Sequence, residues 1–245
     1  MAGFRPDTVA LTVDMAVLTI RDGVLSVLLV QRGEAPFRDS WALPGGFVGA
    51  QESAEAAARR ELGEETGLDA LPAGLHLEQL ATYSDPYRDP RMRVVSVAYV
   101  AFAPRLPQPV AGSDAARARW WSVADVGLDT PEEDSIELAF DHSKILADAV
   151  ERVRGKLEYS TLAAAFLDEP FTLGQLHRVY QAVWGEGPHL PNFRRKVLST
   201  PGFVERVNAH VDSAPALFRR GPARWLHPPM LRPAPGDPGP DDEPG

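Results

Sequence analysis

Three glutamates fall on one side of a short predicted helix: Glu61, Glu64 and Glu65. Ser53 is a favourable N-cap residue and the alanines that follow have high helix propensity, so the sequence predicts a helix over residues 54–66. Residues three and four positions apart share a helix face, and the three carboxylates therefore point toward a common region. Carboxylates this close repel one another unless a cation lies between them. Hard oxygen ligands are those that Mg2+ or Mn2+ prefers. The three glutamates by themselves also fit a solvated acidic helix face.

The surrounding residues favour the metal site over the solvated face. Residues 46–68 form a stretch of 23 residues in which Gly46, Glu52, Arg60 and Gly67 stand at fixed distances from the glutamates. Seven residue types at fixed positions arise by chance in on the order of one in a million chains of this length. The stretch resembles the Nudix box of hydrolases that act on nucleoside diphosphates linked to another moiety.

The resemblance implies a fold, a cofactor and a reaction. The fold is α/β, a Nudix α/β/α sandwich with a mixed sheet. The implied metal ligands are Gly46, through its carbonyl, with Glu61, Glu64 and Glu65, and the cofactor is Mg2+ or Mn2+. Glu52 is implied to pair with Arg60 and brace the loop, and we count both with the three glutamates as the catalytic set. The reaction would be metal-assisted attack of water on a pyrophosphate phosphorus. The general base stays open, because in this family it can lie outside the box.

Composition excludes several other classes of function. The chain has 245 residues, 44% of them hydrophobic and 24% charged, which is long enough for two domains. It contains no cysteine, which excludes disulfides, thiolate metal sites and a cysteine nucleophile and fits a reducing cytoplasm. We find no signal peptide at the N-terminus and no apolar run near the roughly 18 residues of a membrane span. We therefore expect a soluble, cytoplasmic protein that does not bind membranes.

Charge is distributed unevenly along the chain. Residues 1–150 carry 13 basic and 23 acidic side chains, a net charge of −10, whereas residues 151–232 carry 12 and 7, a net charge of +5. Such asymmetry is typical of a nucleic-acid-binding module beside another domain. It fits equally well a charge difference that affects only solubility and has no role in binding. The predicted divisions are a Nudix domain at 8–154, a DNA-binding domain at 155–230 and a disordered acidic tail rich in proline and glycine at 231–245.

The box must be held by a sheet. Runs rich in β-branched residues at 11–20 and 24–32 flank Arg21-Asp22-Gly23 and predict a hairpin. The remaining predicted elements of this domain are strands at 77–83, 92–103 and 118–122 and a helix over 135–154.

A turn-rich loop at residues 84–93 carries candidate ligand contacts. Arg88, Arg91 and Arg93 provide fixed positive charge that suits phosphate or ribose, but they could equally pair with the aspartates of the same loop. The segment resembles one found in Nudix proteins that recognise ADP-ribose, including the Nudix-related transcriptional regulators of NAD metabolism. This resemblance favours ADP-ribose as the ligand. Phe37, shortly before the box, is a further candidate substrate contact because its ring could stack on a base.

The basic part of the chain predicts two helices joined by a short turn. Thr172 and Gln175 have the spacing of a capping box before a helix over 173–184, and Pro191 can open a second helix. On the second helix Phe193 and Val197 face the core, which leaves the candidate DNA-binding residues Arg194, Arg195 and Lys196 outside. The pattern fits a helix-turn-helix with a basic recognition helix, followed by a wing within 204–226.

Such helix pairs also occur in proteins that never bind DNA. However, residues 157–167, 171–185 and 192–198 resemble the winged helix domain that follows the Nudix domain in the regulators named above. Our main hypothesis is therefore a homodimeric regulator that binds ADP-ribose and a double-stranded DNA operator and retains hydrolysis of its ligand. The alternatives are a pyrophosphatase without a DNA-binding role and a sensor of another nucleotide or sugar.

Overall fold

The computed structural model describes residues 8–66, 75–104, 106–109, 115–128, 135–207 and 215–233. The chain divides into two compact units. As far as they are described, the first comprises residues 8–18, 26–102 and 106–149, and the second comprises 19–25, 103–104 and 150–233.

The first two strands of the chain form a β-hairpin. Strands β1 (Ala10–Arg21) and β2 (Val24–Arg32) are neighbours in the sheet. Asp22 and Gly23 join them with φ values of 51° and 81°, the left-handed conformation that a two-residue hairpin turn requires at both positions. The predicted hairpin is confirmed.

Seven strands of the described chain form one mixed sheet, as predicted. The main path runs β3-β2-β1-β6-β5, with β4 paired to β1 and β7 paired to β2. Strands β1 and β6 are parallel, whereas β1 with β4, β2 with β3 and β7, and β5 with β6 are antiparallel. The bounds of the other strands are Trp41–Ala42 (β3), Gly45–Phe47 (β4), His76–Tyr83 (β5), Val94–Phe102 (β6) and Ala115–Ser122 (β7).

Helix α1 (Ala54–Thr66) carries the glutamates and has the predicted bounds. Its N-terminus is capped by Ser53, whose hydroxyl accepts a hydrogen bond from the backbone N–H of Ala56 at 3.1 Å. Ala57, Ala58 and Leu62 are fully buried and fix the helix to the core, so the charged residues remain on the outer side.

Helix α2 (His142–Tyr159) begins later than predicted. We expected a helix from residue 135, but Leu138 pairs with Trp41 and the N–H of Ala139 donates to the Trp41 carbonyl at 2.8 Å. Phe140 has φ 56°, a left-handed conformation that a helix cannot include. The domain limit predicted between residues 154 and 155 falls inside this helix.

The second unit contains the predicted helix pair. After a 3-10 helix at Thr161–Phe166, helix α3 spans Leu173–Trp184 and helix α4 spans Leu190–Ser199. The capping box is present: Thr172 Oγ1 accepts from the N–H of Gln175 at 3.2 Å, and Gln175 Oε1 accepts from the N–H of Thr172 at 2.7 Å. Strands β8 (Val204–Arg206) and β9 (Phe218–Arg220) pair antiparallel at the position of the predicted wing.

The core of the second unit lies between α3 and α4. Tyr180 is fully buried and packs edge-on against Trp184 and Phe193, at centroid distances of 4.8 and 5.3 Å. The predicted inward residues are all buried: Leu176, Val179, Tyr180, Val183, Phe193 and Val197. No helix in the described ranges is long and apolar enough to cross a membrane.

Candidate functional site

The predicted box opens onto a cavity of about 470 Å3 in the first unit. Strands β1, β2 and β4, helix α1, the loop at 84–93 and the start of α2 all contribute to its wall. The charged residues of this wall are Asp14, Glu34, Glu61, Glu64 and Asp89 on the acidic side and Arg32, Arg60, Arg88 and Arg91 on the basic side.

Arg60 joins three of the predicted catalytic carboxylates. Its Nη2 lies 2.6 Å from Glu52 Oε1, and its Nη1 lies 2.7 Å from Glu61 Oε1 and 2.9 Å from Glu64 Oε2. Nη2 also donates to the carbonyl of Phe47 at 3.1 Å, which ties the guanidinium to the end of β4. The structure thus contains the Glu52–Arg60 pair that the resemblance implied. The hydrogen bonds that Arg60 donates to Glu52 and then to Glu61 raise the pKa of Arg60, and the bond that Glu52 accepts lowers the pKa of Glu52.

Gly46 allows Glu61 to pack directly on the backbone of β4. A Cβ atom at position 46 would lie 2.3 Å from Glu61 Oε1. Atoms cannot approach this closely, so the Glu61 side chain would have to move. Burial raises the pKa of Glu61, although its bond with Arg60 opposes that change. A side chain at this position would therefore push the flexible end of Glu61 away from β4, whereas glycine lets the carboxylate lie against the backbone.

The arrangement fits a divalent cation. Within the described part of the chain, no three aspartate, glutamate or histidine side chains already form a metal-ligand cluster, and the side chain of Glu65 lies outside the described residues. Glu61 and Glu64, however, both direct an oxygen at the same nitrogen of Arg60, which marks a position where a cation is stabilised. The donors are all oxygens, the set that Mg2+ prefers.

A buried ion network lies beside these glutamates. Arg88 is only 5% exposed and binds Asp141 through Nη2 at 2.7 Å and through Nε at 3.0 Å, and its Nη2 is also 3.1 Å from Asp14 Oδ2. Ser96 donates to the same Asp14 oxygen at 2.6 Å. The pKa of Asp14 is lowered to about 2: burial acts to raise it, but His142, Ser96 and Arg88 stabilise the carboxylate more strongly. Asp14 is therefore ionised in the folded protein.

His142 is positioned as a hydrogen-bonding group in this network. The backbone N–H of Leu43 donates to its Nδ1 at 2.9 Å, so Nδ1 must be the unprotonated nitrogen. The proton is then on Nε2, which faces Asp14 Oδ1 at 3.4 Å. Both ring nitrogens are therefore engaged with protein atoms.

The structure brings only some of the predicted ligand contacts to the cavity. Arg88 and Arg91 line it together with Glu61 and Glu64, although Arg91 forms a bidentate pair with Asp89 at 2.8 and 3.0 Å. Arg93 and Phe37 do not line it. Arg93 donates to the carbonyl of Ser84 at 2.8 Å, and Phe37 packs edge-on against Phe140 with its ring centroid 4.8 Å away. The role of these four residues in ligand binding stays a prediction.

Sequence reasoning missed several residues of the cavity. Asp14 had a usable signal, since a lone acidic residue in an otherwise apolar strand is expensive to bury without a partner. No sequence signal indicated Arg32 or Phe140. The Arg32 and Arg91 guanidinium groups lie 4.7 and 5.9 Å from the Phe140 ring centroid. The Arg32–Phe140 contact joins residues more than a hundred positions apart.

In the second unit, α4 presents part of the predicted basic surface. Arg194 and Arg195 are exposed, and Arg195 is hydrogen-bonded to Asn192 at 3.0 Å. Lys196 is half-buried and its Nζ donates to the carbonyl of Pro228, which leaves it less available than its neighbours. On the wing strands Arg219 pairs with Glu205 at 2.7 Å. Residues 208–214 of the predicted wing and residues 234–245 of the predicted tail lie outside the described residues.

Comparison with known proteins identifies both parts of the chain. The NUDIX domain family matches residues 10–145, and the NrtR DNA-binding winged helix domain family matches residues 163–215. The ADPR responsive transcriptional repressor NtrR of Acinetobacter baylyi is 33% identical over 202 residues, which cover 81% of this chain and 75% of the relative. The ADP-ribose pyrophosphatase of Methanocaldococcus jannaschii is 38% identical over 133 residues, or 52% of this chain and 69% of the relative.

A solved structure extends the likeness across both units. Shewanella oneidensis NrtR complexed with a 27mer DNA matches with a TM-score of 0.70 and 34% identity, over 88% of this chain and 97% of that chain. The prediction of a mixed-sheet Nudix fold followed by a winged helix domain is confirmed. The chain therefore belongs to the NUDIX family and carries, after its NUDIX domain, a DNA-binding winged helix domain of the NrtR type.

Proposed function

We propose that this chain is an ADP-ribose-responsive transcriptional regulator. It binds ADP-ribose in the NUDIX cavity and operator DNA through the winged helix domain, and it retains Mg2+-dependent hydrolysis of its ligand. One observation carries the proposal: an intact box and a winged helix with exposed arginines occur in one chain. The similarity to an ADPR responsive transcriptional repressor extends over 81% of the chain and supports the same combination.

The chemistry of the cavity supports a nucleoside diphosphate linked to a sugar. A volume of about 470 Å3 suits a ligand of that size, and the wall offers guanidinium groups for phosphate and ribose oxygens. Phe140 provides an aromatic ring beside Arg32 and Arg91 where a planar base can pack. We propose Arg88 as a positioning residue for the loop and Arg91 as the direct contact, because Arg88 is already enclosed by Asp14 and Asp141.

The box residues supply the hydrolytic centre in this proposal. Glu61, Glu64 and Glu65, with the Gly46 carbonyl, would hold Mg2+, which neutralises phosphate charge and lowers the pKa of bound water. Arg60 keeps the carboxylates of Glu61 and Glu64 directed to one position.

DNA binding in this proposal uses α4. Arg194 and Arg195 project from a helix whose opposite face, at Phe193 and Val197, is buried in the core. A short recognition helix reads few bases, so we propose a homodimer that binds a two-fold symmetric operator.

A second candidate is a pyrophosphatase that does not bind DNA. It is supported by the complete box and by the similarity to an ADP-ribose pyrophosphatase, which covers 52% of the chain. The winged helix domain would then serve assembly or cover the substrate.

A gel-shift assay separates the two candidates. The probe is the DNA upstream of the protein's own gene, at low salt, with and without ADP-ribose. The regulator should shift this fragment, ADP-ribose should change the shift, and log affinity should fall with log salt by about 0.9 per phosphate neutralised.

Matched variants make the assay specific. Arg194→Ala combined with Arg195→Ala should abolish the shift, whereas Arg59→Ala combined with Arg117→Ala removes the same charge from exposed sites in the first unit and should leave it unchanged. If the wild-type protein binds no upstream fragment under either condition, the enzyme without DNA binding is the remaining candidate.

A further inference from the structure

Arg60 binds Glu52 through one part of its guanidinium and the Glu61–Glu64 pair through another. Its Nε and Nη2 bind Glu52, at 3.2 and 2.6 Å, while its Nη1 binds Glu61 and Glu64 at 2.7 and 2.9 Å. Glu52 anchors the arginine to the loop before α1. Glu61 and Glu64 are two of the oxygen ligands proposed for the divalent cation.

We propose that Arg60 is a resident counter-ion of Glu61 and Glu64, and that a divalent cation binds by displacing its Nη1 while Glu52 retains the rest of the guanidinium. Competition between Glu52 and the Glu61–Glu64 pair for one arginine then sets the affinity for the cation. The inference rests on the proposed divalent-cation site, and it assigns Arg60 a regulatory role beyond bracing the loop.

Charge balance makes the exchange feasible. Three carboxylates surround one guanidinium, which leaves a net charge of −2 on these four side chains. A doubly charged ion neutralises this excess, and it competes with Nη1 for the same oxygens. Because Nη2 is also held by the Phe47 carbonyl at 3.1 Å, the guanidinium has an anchor that does not depend on Glu61 or Glu64.

The inference predicts effects of opposite sign at the two ends of the Glu52–Arg60 pair. Arg60→Gln removes the competing charge, so cation affinity should rise. Glu52→Gln removes the anchor that draws Arg60 away, so Arg60 should hold Glu61 and Glu64 more firmly and cation affinity should fall. If the Glu52–Arg60 pair only held the structure in place, both variants should bind the cation more weakly than the wild type.

The test measures Mn2+ binding to the full-length protein by electron paramagnetic resonance, without ADP-ribose or DNA. We expect Arg60→Gln to bind Mn2+ about tenfold more tightly, because the variant lacks a unit positive charge that would repel a divalent ion held by Glu61 and Glu64. Glu52→Gln should bind it several-fold more weakly. The matched control is Arg59→Gln, which removes an adjacent arginine that pairs with Glu55 on the exposed side of α1 and should leave Mn2+ affinity unchanged.

The outcomes are distinguishable. Equal or weaker Mn2+ binding by Arg60→Gln overturns the inference while leaving the proposed cation site in place. If Arg60→Gln does not fold, as judged by circular dichroism, Glu52→Gln decides, and unchanged or tighter binding by that variant overturns the inference. Absence of Mn2+ binding by the wild-type protein overturns both the inference and the proposed site.

Discussion

Replacing Arg88 with methionine should destabilise the first unit strongly at neutral pH. Arg88 is 5% exposed and is the cation that Asp14 and Asp141 share, at 3.1 and 2.7 Å. Methionine fills much of the same volume but leaves two carboxylates without their ion pair. Removing one member of a buried ion pair costs roughly 3–5 kcal/mol in the free energy of unfolding, and we expect a loss of that size at pH 7.

The free energy of unfolding lost in Arg88→Met should become smaller as the pH falls, because Asp14 is then protonated. In the wild type the pKa of Asp14 is lowered from 3.8 to about 2, so its stabilising contribution is complete above about pH 3.8 and disappears as the pH falls through about 2. Without Arg88, one of the groups that lower the pKa of Asp14 is lost, while His142 and Ser96 still stabilise the carboxylate, so the pKa in the variant lies above the wild-type value of about 2. The variant therefore takes up its proton on Asp14 at a higher pH than the wild type does. The difference in stability between the two proteins should accordingly be smaller at pH 3 than at pH 7.

Urea unfolding followed by tryptophan fluorescence at both pH values measures this difference. The matched control is Arg59→Met, because Arg59 pairs with Glu55 at 3.0 Å and both side chains are about half exposed. An exposed pair of this kind contributes at most about 1 kcal/mol. The reasoning is refuted if Arg88→Met is no less stable than Arg59→Met at pH 7, or if its deficit does not decrease at pH 3.

Three further predictions concern single side chains. Glu64→Gln should lower ADP-ribose hydrolysis at least about a hundredfold with Mg2+ present, measured as AMP release, and unchanged turnover would remove Glu64 from the centre. Thr172→Ala should lower the stability of the second unit by about 1 kcal/mol because it deletes the N-cap of α3, whereas Thr172→Ser should restore it in thermal unfolding. Lys196→Met should lower thermal stability by breaking the bond to the Pro228 carbonyl and should change operator affinity less than Arg194→Ala does in the gel-shift assay. The opposite order of affinities would show that Lys196 contacts DNA directly.

Local signals in the sequence predicted the local structure well. The turn at Asp22 and Gly23, the start of α1 at Ser53 and the capping box at Thr172 each depend on residues within a few positions of one another, and each is present. Glu61 and Glu64, three residues apart on α1, both reach Arg60, as their shared helix face predicts, whereas the side chain of Glu65 lies outside the described residues.

Contacts between distant residues could not be predicted in this way. Arg88 was predicted to face a ligand or to pair with an aspartate of its own loop; it lines the cavity, and it pairs with Asp141, a partner 53 residues away that the sequence did not indicate. The start of α2 was missed because a left-handed Phe140 and a pairing with Trp41 are set by tertiary packing, whereas the sequence around residue 140 reads as helical.

Gly46 sets the position of the Glu61 carboxylate without carrying any charge itself. A single added methyl group there would lie 2.3 Å from the Glu61 carboxylate oxygen and would push the end of that side chain away. Gly46→Ala would therefore move one of the proposed cation ligands while every acidic residue of the cavity stays in place.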